Sequence, residues 1–397
     1  MPKISTKGQE LPSSPIRKLV VHADEAKSRG LEVLHLNIGQ PDIDAPVEAM
    51  EIVRNHDLKL LSYGSSQGSL SFRTQFCQYY QQHDISIQPD DIIITTGASE
   101  ALAFTLNVIC DAGDEVIIPE PFYANYNGFA AACSVEVVPV VSHFENQFEL
   151  PPVEALKEKI TDKTRAILIC NPSNPTGYLC SEAEVKALID LAIGHDIFII
   201  VDEVYREFIY AEKSHYSVLK SKKGKQHVVM IDSVSKRYSL CGARVGCMIS
   251  KNKTLMATAL KFAHLRLSPP ALAMIASEAA ISAPPSYLDN VKKEYEKRKD
   301  VTVTALENIQ GVEVCNPMGA FYCIAKLPVE SAEDFSKFLL TDFEDQGQTL
   351  MLAPAAGFYS SPELGKDQVR LAFVLESSKL QRAAEILEKA LTAYHNS

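Results

Sequence analysis

Seven short runs, apolar, rich in β-branched residues and free of polar alternation, constrain this chain more than any other feature. They are DIIITT (91–96), EVIIPE (115–120), VEVVPV (135–140), RAILIC (165–170), IFIIVD (197–202), VVMIDS (228–233) and RVGCMIS (244–250). A strand with no polar side is buried on both faces, which is the condition of a parallel sheet held between two helical layers. Helical stretches lie between most of the runs, including SEALAFTLNVIC after the first and SEAEVKALIDLAIGHD after the fourth. The expected architecture is α/β: a mostly parallel, seven-stranded, doubly wound sheet with helices on both faces.

The chain has 397 residues, more than the roughly 100–200 of one ordinary domain, so the flanks should form a second unit. Residues 1–15 are polar and Pro-rich and read as an extended arm, suited to docking on a partner subunit. From Pro15 to Gly30, residues Ile16, Leu19, Val20 and Ala23 recur at helical spacing, and LEVLHLNIG then reads as a strand. A long helical region from Leu255 is broken at Ser268-Pro269-Pro270 and Pro284-Pro285, and a highly charged helix, DNVKKEYEKRKDVTVTALENI, follows. After Gly311 the pattern is α+β, with strands near 312–315, 320–326 and 368–374. The expected division is a small α+β domain (16–45 with 290–397) and a large α/β domain (46–289).

The net charge of -11 argues against nucleic acid or an anionic membrane as partner, since both require clustered Lys and Arg. The amino terminus has no apolar signal-peptide core, and no run approaches the roughly 18 apolar residues that span a bilayer. The nine cysteines are scattered, without a C-x-x-C pair, and read as reduced thiols. A cytoplasmic protein acting on small molecules, with no metal site, is the expectation.

In open α/β sheets ligands sit outside the carboxyl ends of the strands, and those ends carry the chemistry here. The first run enters Thr96-Gly97-Ala98-Ser99 and then a helix, so that exposed amides and a helix dipole could bind phosphate; a capped helix is the plainer reading. It is not a dinucleotide fingerprint, because G-x-G-x-x-G is missing. Asp202 closes IFIIVD, where burial demands a cation: a salt bridge or a protonated heterocyclic nitrogen would serve. Asp232-Ser233-Val234-Ser235-Lys236 is followed by Gly242-Ala243-Arg244-Val245-Gly246. Read together, they form a second anion site beside a lysine able to act as nucleophile. Cys170-Asn171-Pro172-Ser173-Asn174-Pro175-Thr176-Gly177 forms a tight loop.

Over nearly its whole length this motif set resembles the class I/II aminotransferases of the aspartate aminotransferase superfamily, the fold type I enzymes dependent on pyridoxal 5'-phosphate. The carriers are Ser-x-Ser-Lys with a trailing Gly-x-Arg-x-Gly, Asn-Pro-Thr-Gly, and Asp-Glu-x-Tyr. The resemblance implies that Lys236 is the Schiff-base lysine and Asp202 the partner of the pyridinium nitrogen. It makes Tyr205 and Asn174 donors to the ring 3'-oxygen, and Tyr123 the aromatic stacked on the ring. Ala98, Ser99, Ser233, Ser235 and Arg244 match the phosphate cup, and Tyr63, in YGSSQGSLSFR, the tyrosine that reaches the phosphate of the neighbouring subunit. Gly39 in NIGQPD, Asn174 and Arg370 in VRLAF match the groups around the substrate α-carboxylate. Two departures stand out: Pro354-Ala355-Ala356-Gly357-Phe358 replaces the usual Pro-Gly-x-x-Phe, and the stacking position is Tyr rather than Trp.

The implied activity is ping-pong transamination by a homodimer with shared active sites, with aspartate as best donor and 2-oxoglutarate as acceptor. Arg266, in HLRLSPPAL, is the candidate reader of the side-chain carboxylate from the neighbouring subunit; an interface salt bridge is the alternative, and Arg17 competes for the role. Aromatic, alanine or methionine donors, or carbon–sulfur β-elimination, would use the same core residues. A ligand-sensing regulator would need an amino-terminal helix-turn-helix, for which the first residues leave little room. A nicotinamide oxidoreductase fits the layout but not the missing glycine fingerprint.

Overall fold

The computed structural model describes residues 2–11, 17–55, 57, 59–361 and 363–396. After β1 (Glu32–His35), the runs read from the sequence appear as β2 (Ile92–Thr95), β3 (Glu115–Glu120), β4 (Glu136–Val141), β5 (Thr164–Cys170), β6 (Phe198–Asp202), β7 (Val228–Ser233) and β8 (Gly246–Ile249). These seven form one sheet in the order β2-β8-β7-β6-β5-β3-β4. Neighbours from β7 to β4 are parallel, whereas β8 runs antiparallel to both β7 and β2.

Successive residues of these strands enter opposite cores, which is why the runs show no polar alternation. Ile92, Ile94, Ile199 and Val201 pack with Phe72, Phe76 and Leu188 on one face. Ile93 and Ile200 pack with Leu102, Tyr126 and Ala259 on the other.

The tail adds β9 (Glu313–Val314), β10 (Tyr322–Lys326), β11 (Gln348–Met351), β12 (Ala353–Pro354) and β13 (Gln368–Ala372). An antiparallel sheet runs β12-β13-β10-β9, while β1 pairs in parallel with β11. The amino-terminal strand therefore joins the carboxyl-terminal third. The long helix Pro285–Glu307 sends Val291 and Tyr295 into the core shared by Leu34, Phe321, Phe335 and Leu350.

Several expected boundaries shift. Residues 6–10 of the arm are not extended but form the short helix Thr6–Glu10, capped by Ser5, with Lys7 Nζ 3.0 Å from the Ala132 carbonyl oxygen of the same chain. The next helix is Val20–Ser28, while Pro15 and Ile16 lie outside the described residues. The run RVGCMIS becomes strand only from Gly246, because Arg244 turns with a φ of 55°. Among the described residues no helix is long and apolar enough to cross a membrane.

Candidate active site

Side by side, β5, β6 and β7 end in Cys170, Asp202 and Ser233, and β2 ends in the same direction beyond β8. Above these ends lies a cavity of about 490 Å³. Every site residue expected from the sequence lines it except Tyr63 and Arg266.

Its floor is an anion cup. The helix Gly97–Ile109 starts directly after β2 and turns the free amides of Gly97, Ala98 and Ser99 toward the cavity end, with the helix dipole behind them. Gly246 lets that helix approach: a Cβ there would lie 2.5 Å from the Ala98 amide nitrogen. Ser233 Oγ lies 2.8 Å from Ser235 Oγ, and Arg244 carries a cation to the same corner, held by an Nη1 bond of 3.1 Å to the Cys241 carbonyl. One guanidinium, two serine hydroxyls and a helix terminus suit a phosphate.

Lys236 follows on the short helix Val234–Arg237, its Nζ donating to the Gly39 carbonyl at 2.7 Å. Gly39 is needed at that point, since a Cβ would sit 1.6 Å from Tyr322 Oη.

Asp202 is buried, with no basic side chain bonded to it among the described residues. Tyr126 Oη donates to its Oδ2 at 2.9 Å, and the Val204 amide to Oδ1 at 3.3 Å. Burial outweighs these bonds and pushes the carboxyl up to about 6. Asn174 Nδ2 lies 3.4 Å from Tyr205 Oη, which meets Tyr322 Oη at 3.0 Å. Tyr123 packs edge-on against Tyr126 with centroids 5.4 Å apart.

Arg370, on β13, is the inverse of Asp202: a buried cation without an anion among the described residues. Its Nη1 donates to Asn174 Oδ1 at 3.0 Å and its Nη2 to the Asn37 carbonyl, while Nε has no partner. The Tyr322 and Phe358 rings flank the guanidinium at 4.5 and 4.8 Å. Phe358 belongs to the departing Pro354–Phe358 segment, so that loop still delivers an aromatic to the arginine. A carboxylate on Arg370, a phosphate in the cup and a protonated ring nitrogen on Asp202 would each meet an opposite charge in this cavity. The residues thus fit the cofactor expected from the sequence.

Tyr63 is 80% exposed and does not line this cavity. Arg266 pairs within its own chain: Nη1 meets Glu100 Oε2 at 3.0 Å, and Nη2 donates to the Ser66 carbonyl at 2.7 Å. Its guanidinium ties the start of the phosphate-facing helix to the segment following Tyr63, and it does not line its own chain's cavity. Arg17 does line it. Sequence reasoning passed over Tyr126, Tyr322 and Cys241. Tyr126 stands three residues beyond Tyr123, its amide bonded to the Tyr123 carbonyl at 2.8 Å, and that spacing could have found it.

The class I and II aminotransferase model matches residues 32–387. The chain is 31% identical over 394 residues to an aspartate aminotransferase of Bacillus subtilis, covering 98% of each. Among solved structures, an aspartate aminotransferase of Thermotoga maritima superposes with a TM-score of 0.89 at 27% identity, over 98% of this chain and 100% of the other. An alanine aminotransferase of Pyrococcus furiosus matches with the same TM-score, identity and coverage.

Proposed function

The chain belongs to the class I and II aminotransferases, and on that premise we propose that it is a pyridoxal 5'-phosphate-dependent enzyme that moves the amino group of aspartate to 2-oxoglutarate by a ping-pong route. The observation that carries this reading is the pair of unbalanced buried charges in one cavity, Asp202 without a cation and Arg370 without an anion, with the Lys236 amine beside them.

Bound pyridoxal phosphate supplies the electron sink for loss of the substrate Cα proton. Asp202, kept dry and oriented by Tyr126, holds the ring nitrogen protonated. Tyr123 would cover one ring face, and Asn174 and Tyr205 would donate to the ring oxygen. Arg370 grips the α-carboxylate, with Asn174 fixing the guanidinium, and so sets which bond at Cα is aligned for cleavage. The Lys236 amine, which lines the same cavity, would take the proton from the substrate Cα.

The exposure of Tyr63, together with the exposed Leu60, Leu61, Val47, Leu265 and Leu272, supports a homodimer in which Tyr63 serves the partner's phosphate cup. Nine free cysteines support a reducing, cytoplasmic compartment. Aspartate as donor is supported by the aspartate aminotransferases of Bacillus subtilis and Thermotoga maritima; the alanine aminotransferase of Pyrococcus furiosus is equally similar in structure.

The test is a panel of amino donors, each mixed with 2-oxoglutarate and followed by glutamate formation. Aspartate should give the highest kcat/KM. Release of pyruvate and ammonia or sulfide without any need for an oxo acid would instead make the protein a lyase.

A further inference from the structure

We propose that Tyr322 is a positioning residue for the reaction: its hydroxyl donates to Tyr205 Oη and so leaves the single Tyr205 proton to the ring oxygen of the cofactor. This role rests on the pyridoxal phosphate reading and adds a residue to it.

Donors and acceptors can be counted around the two phenols. Arg370 Nη1 donates to Asn174 Oδ1 at 3.0 Å, and because a guanidinium cannot accept, the orientation of the Asn174 amide is fixed. Its Nδ2 therefore faces Tyr205 Oη, at 3.4 Å, as a donor. Tyr322 Oη approaches the same oxygen at 3.0 Å, and either phenol could supply the proton between them. A phenol has one proton to give. Were Tyr205 to spend it on Tyr322, none would remain for a ring oxygen in the cavity. With Tyr322 as the donor, Tyr205 accepts from Asn174 and Tyr322 and donates outward.

The fold builds this arrangement from two directions. Tyr205 follows β6 and Tyr322 opens β10; both are buried, and both line the cavity. Their rings meet edge-on with centroids 5.5 Å apart, and Phe321 meets Tyr205 in the same manner at 5.2 Å. The missing Cβ of Gly39 leaves room for the Tyr322 hydroxyl. Burial holds the Tyr205 phenol well above its ordinary pKa, which keeps its proton available for donation. The Tyr322 ring separately flanks the Arg370 guanidinium at 4.5 Å. A phenylalanine at 322 would keep that ring and remove the hydroxyl alone.

The experiment titrates the visible absorption band of the cofactor-loaded wild type, Tyr322→Phe, Tyr205→Phe and the double variant, with kcat and KM for the amino donor measured in parallel. Donation to the ring oxygen withdraws charge that would otherwise hold the proton on the neighbouring nitrogen joined to Lys236. Weaker donation should therefore raise the pH at which that proton leaves. Tyr322→Phe should move the midpoint upward by about half to one pH unit and lower kcat roughly three- to ten-fold, with KM within about two-fold of the wild type. Tyr205→Phe should move the midpoint at least as far, and adding Tyr322→Phe to it should move it no further. The midpoint reports only folded, loaded protein, so a fall in the folded fraction does not imitate the shift. An unmoved midpoint in Tyr322→Phe, shifts that add in the double variant, or a rise in KM with kcat unchanged would overturn the role. A wild type without a visible band would overturn the cofactor reading, and this role with it.

Discussion

Adjacent parallel strands β6 and β7 both bring an aspartate to the sheet's carboxyl edge, yet the two carboxylates lead different lives. Asp232 is wholly buried and satisfied within the chain, by Arg237, by Tyr80 Oη and by the Ser233 amide at 2.7 Å. Asp202 is nearly as buried but has only a phenol and one amide, and its carboxyl is pushed up to about 6. One aspartate locks the fold, with the Arg237 guanidinium 4.6 Å from the Tyr79 ring centroid. The other is left short of a cation at the place where a cofactor would bring one. The difference teaches that burial of a carboxylate marks neither structure nor function; the presence or absence of a built-in counter-charge does.

The contrast is broken most forcefully at Asp202. Asp202→Ala should reduce kcat by roughly a thousand-fold or more while the protein stays folded, as steady-state kinetics and circular dichroism would show. A variant near wild-type rate would remove Asp202 from the chemistry.

Asp232→Asn should act in the opposite sense, leaving Arg237 buried without its anion. We expect a loss of about 3–5 kcal/mol in denaturant unfolding, most of which returns when Arg237→Met removes the stranded charge as well.

Stability without cofactor sharpens the comparison. Because the folded pKa of Asp202 is raised from 3.8 to about 6, ionising it within the fold costs on the order of 3 kcal/mol, felt fully above about pH 6 and absent below the ordinary value. Asp202→Asn should therefore stabilise the cofactor-free chain at pH 7 and leave it unchanged near pH 3.5, whereas Asp232→Asn should never stabilise it.

The smallest effect belongs to Tyr126→Phe. Without its donor, Asp202 loses a bond that favours the charged form, so kcat/KM should fall roughly ten-fold and the acid limb of its pH profile should move to higher pH. A uniform loss at every pH would assign Tyr126 to packing alone.

Much of this was legible before any coordinates. Strands buried on both faces write themselves as unbroken apolar runs, and residues following those runs necessarily meet at one edge. That is why Lys236, Asp202, Asn174 and Arg244 could be gathered from positions up to 70 residues apart. Short strands of mixed polarity left no such mark: β11 and β12 lie in QTLMLAP and exist because β1 and β13 supply their partners across the chain. The partners of Asp232 were equally hidden, since Tyr80 arrives from a helix 152 residues earlier in sequence. The partner of Arg266 was hidden as well, since Glu100 is brought alongside from 166 residues earlier in sequence.

The proposed transamination requires that this cavity hold pyridoxal phosphate on Lys236. Purified protein loaded with the cofactor should absorb in the visible at roughly 400–430 nm. Reduction with borohydride, followed by proteolysis and mass spectrometry, should place the pyridoxyl group on the peptide containing Ser235-Lys236-Arg237 and on no other. A Lys236→Ala chain should lose both the band and the label. Label on a different lysine, or none on protein that still transaminates, would contradict the claim.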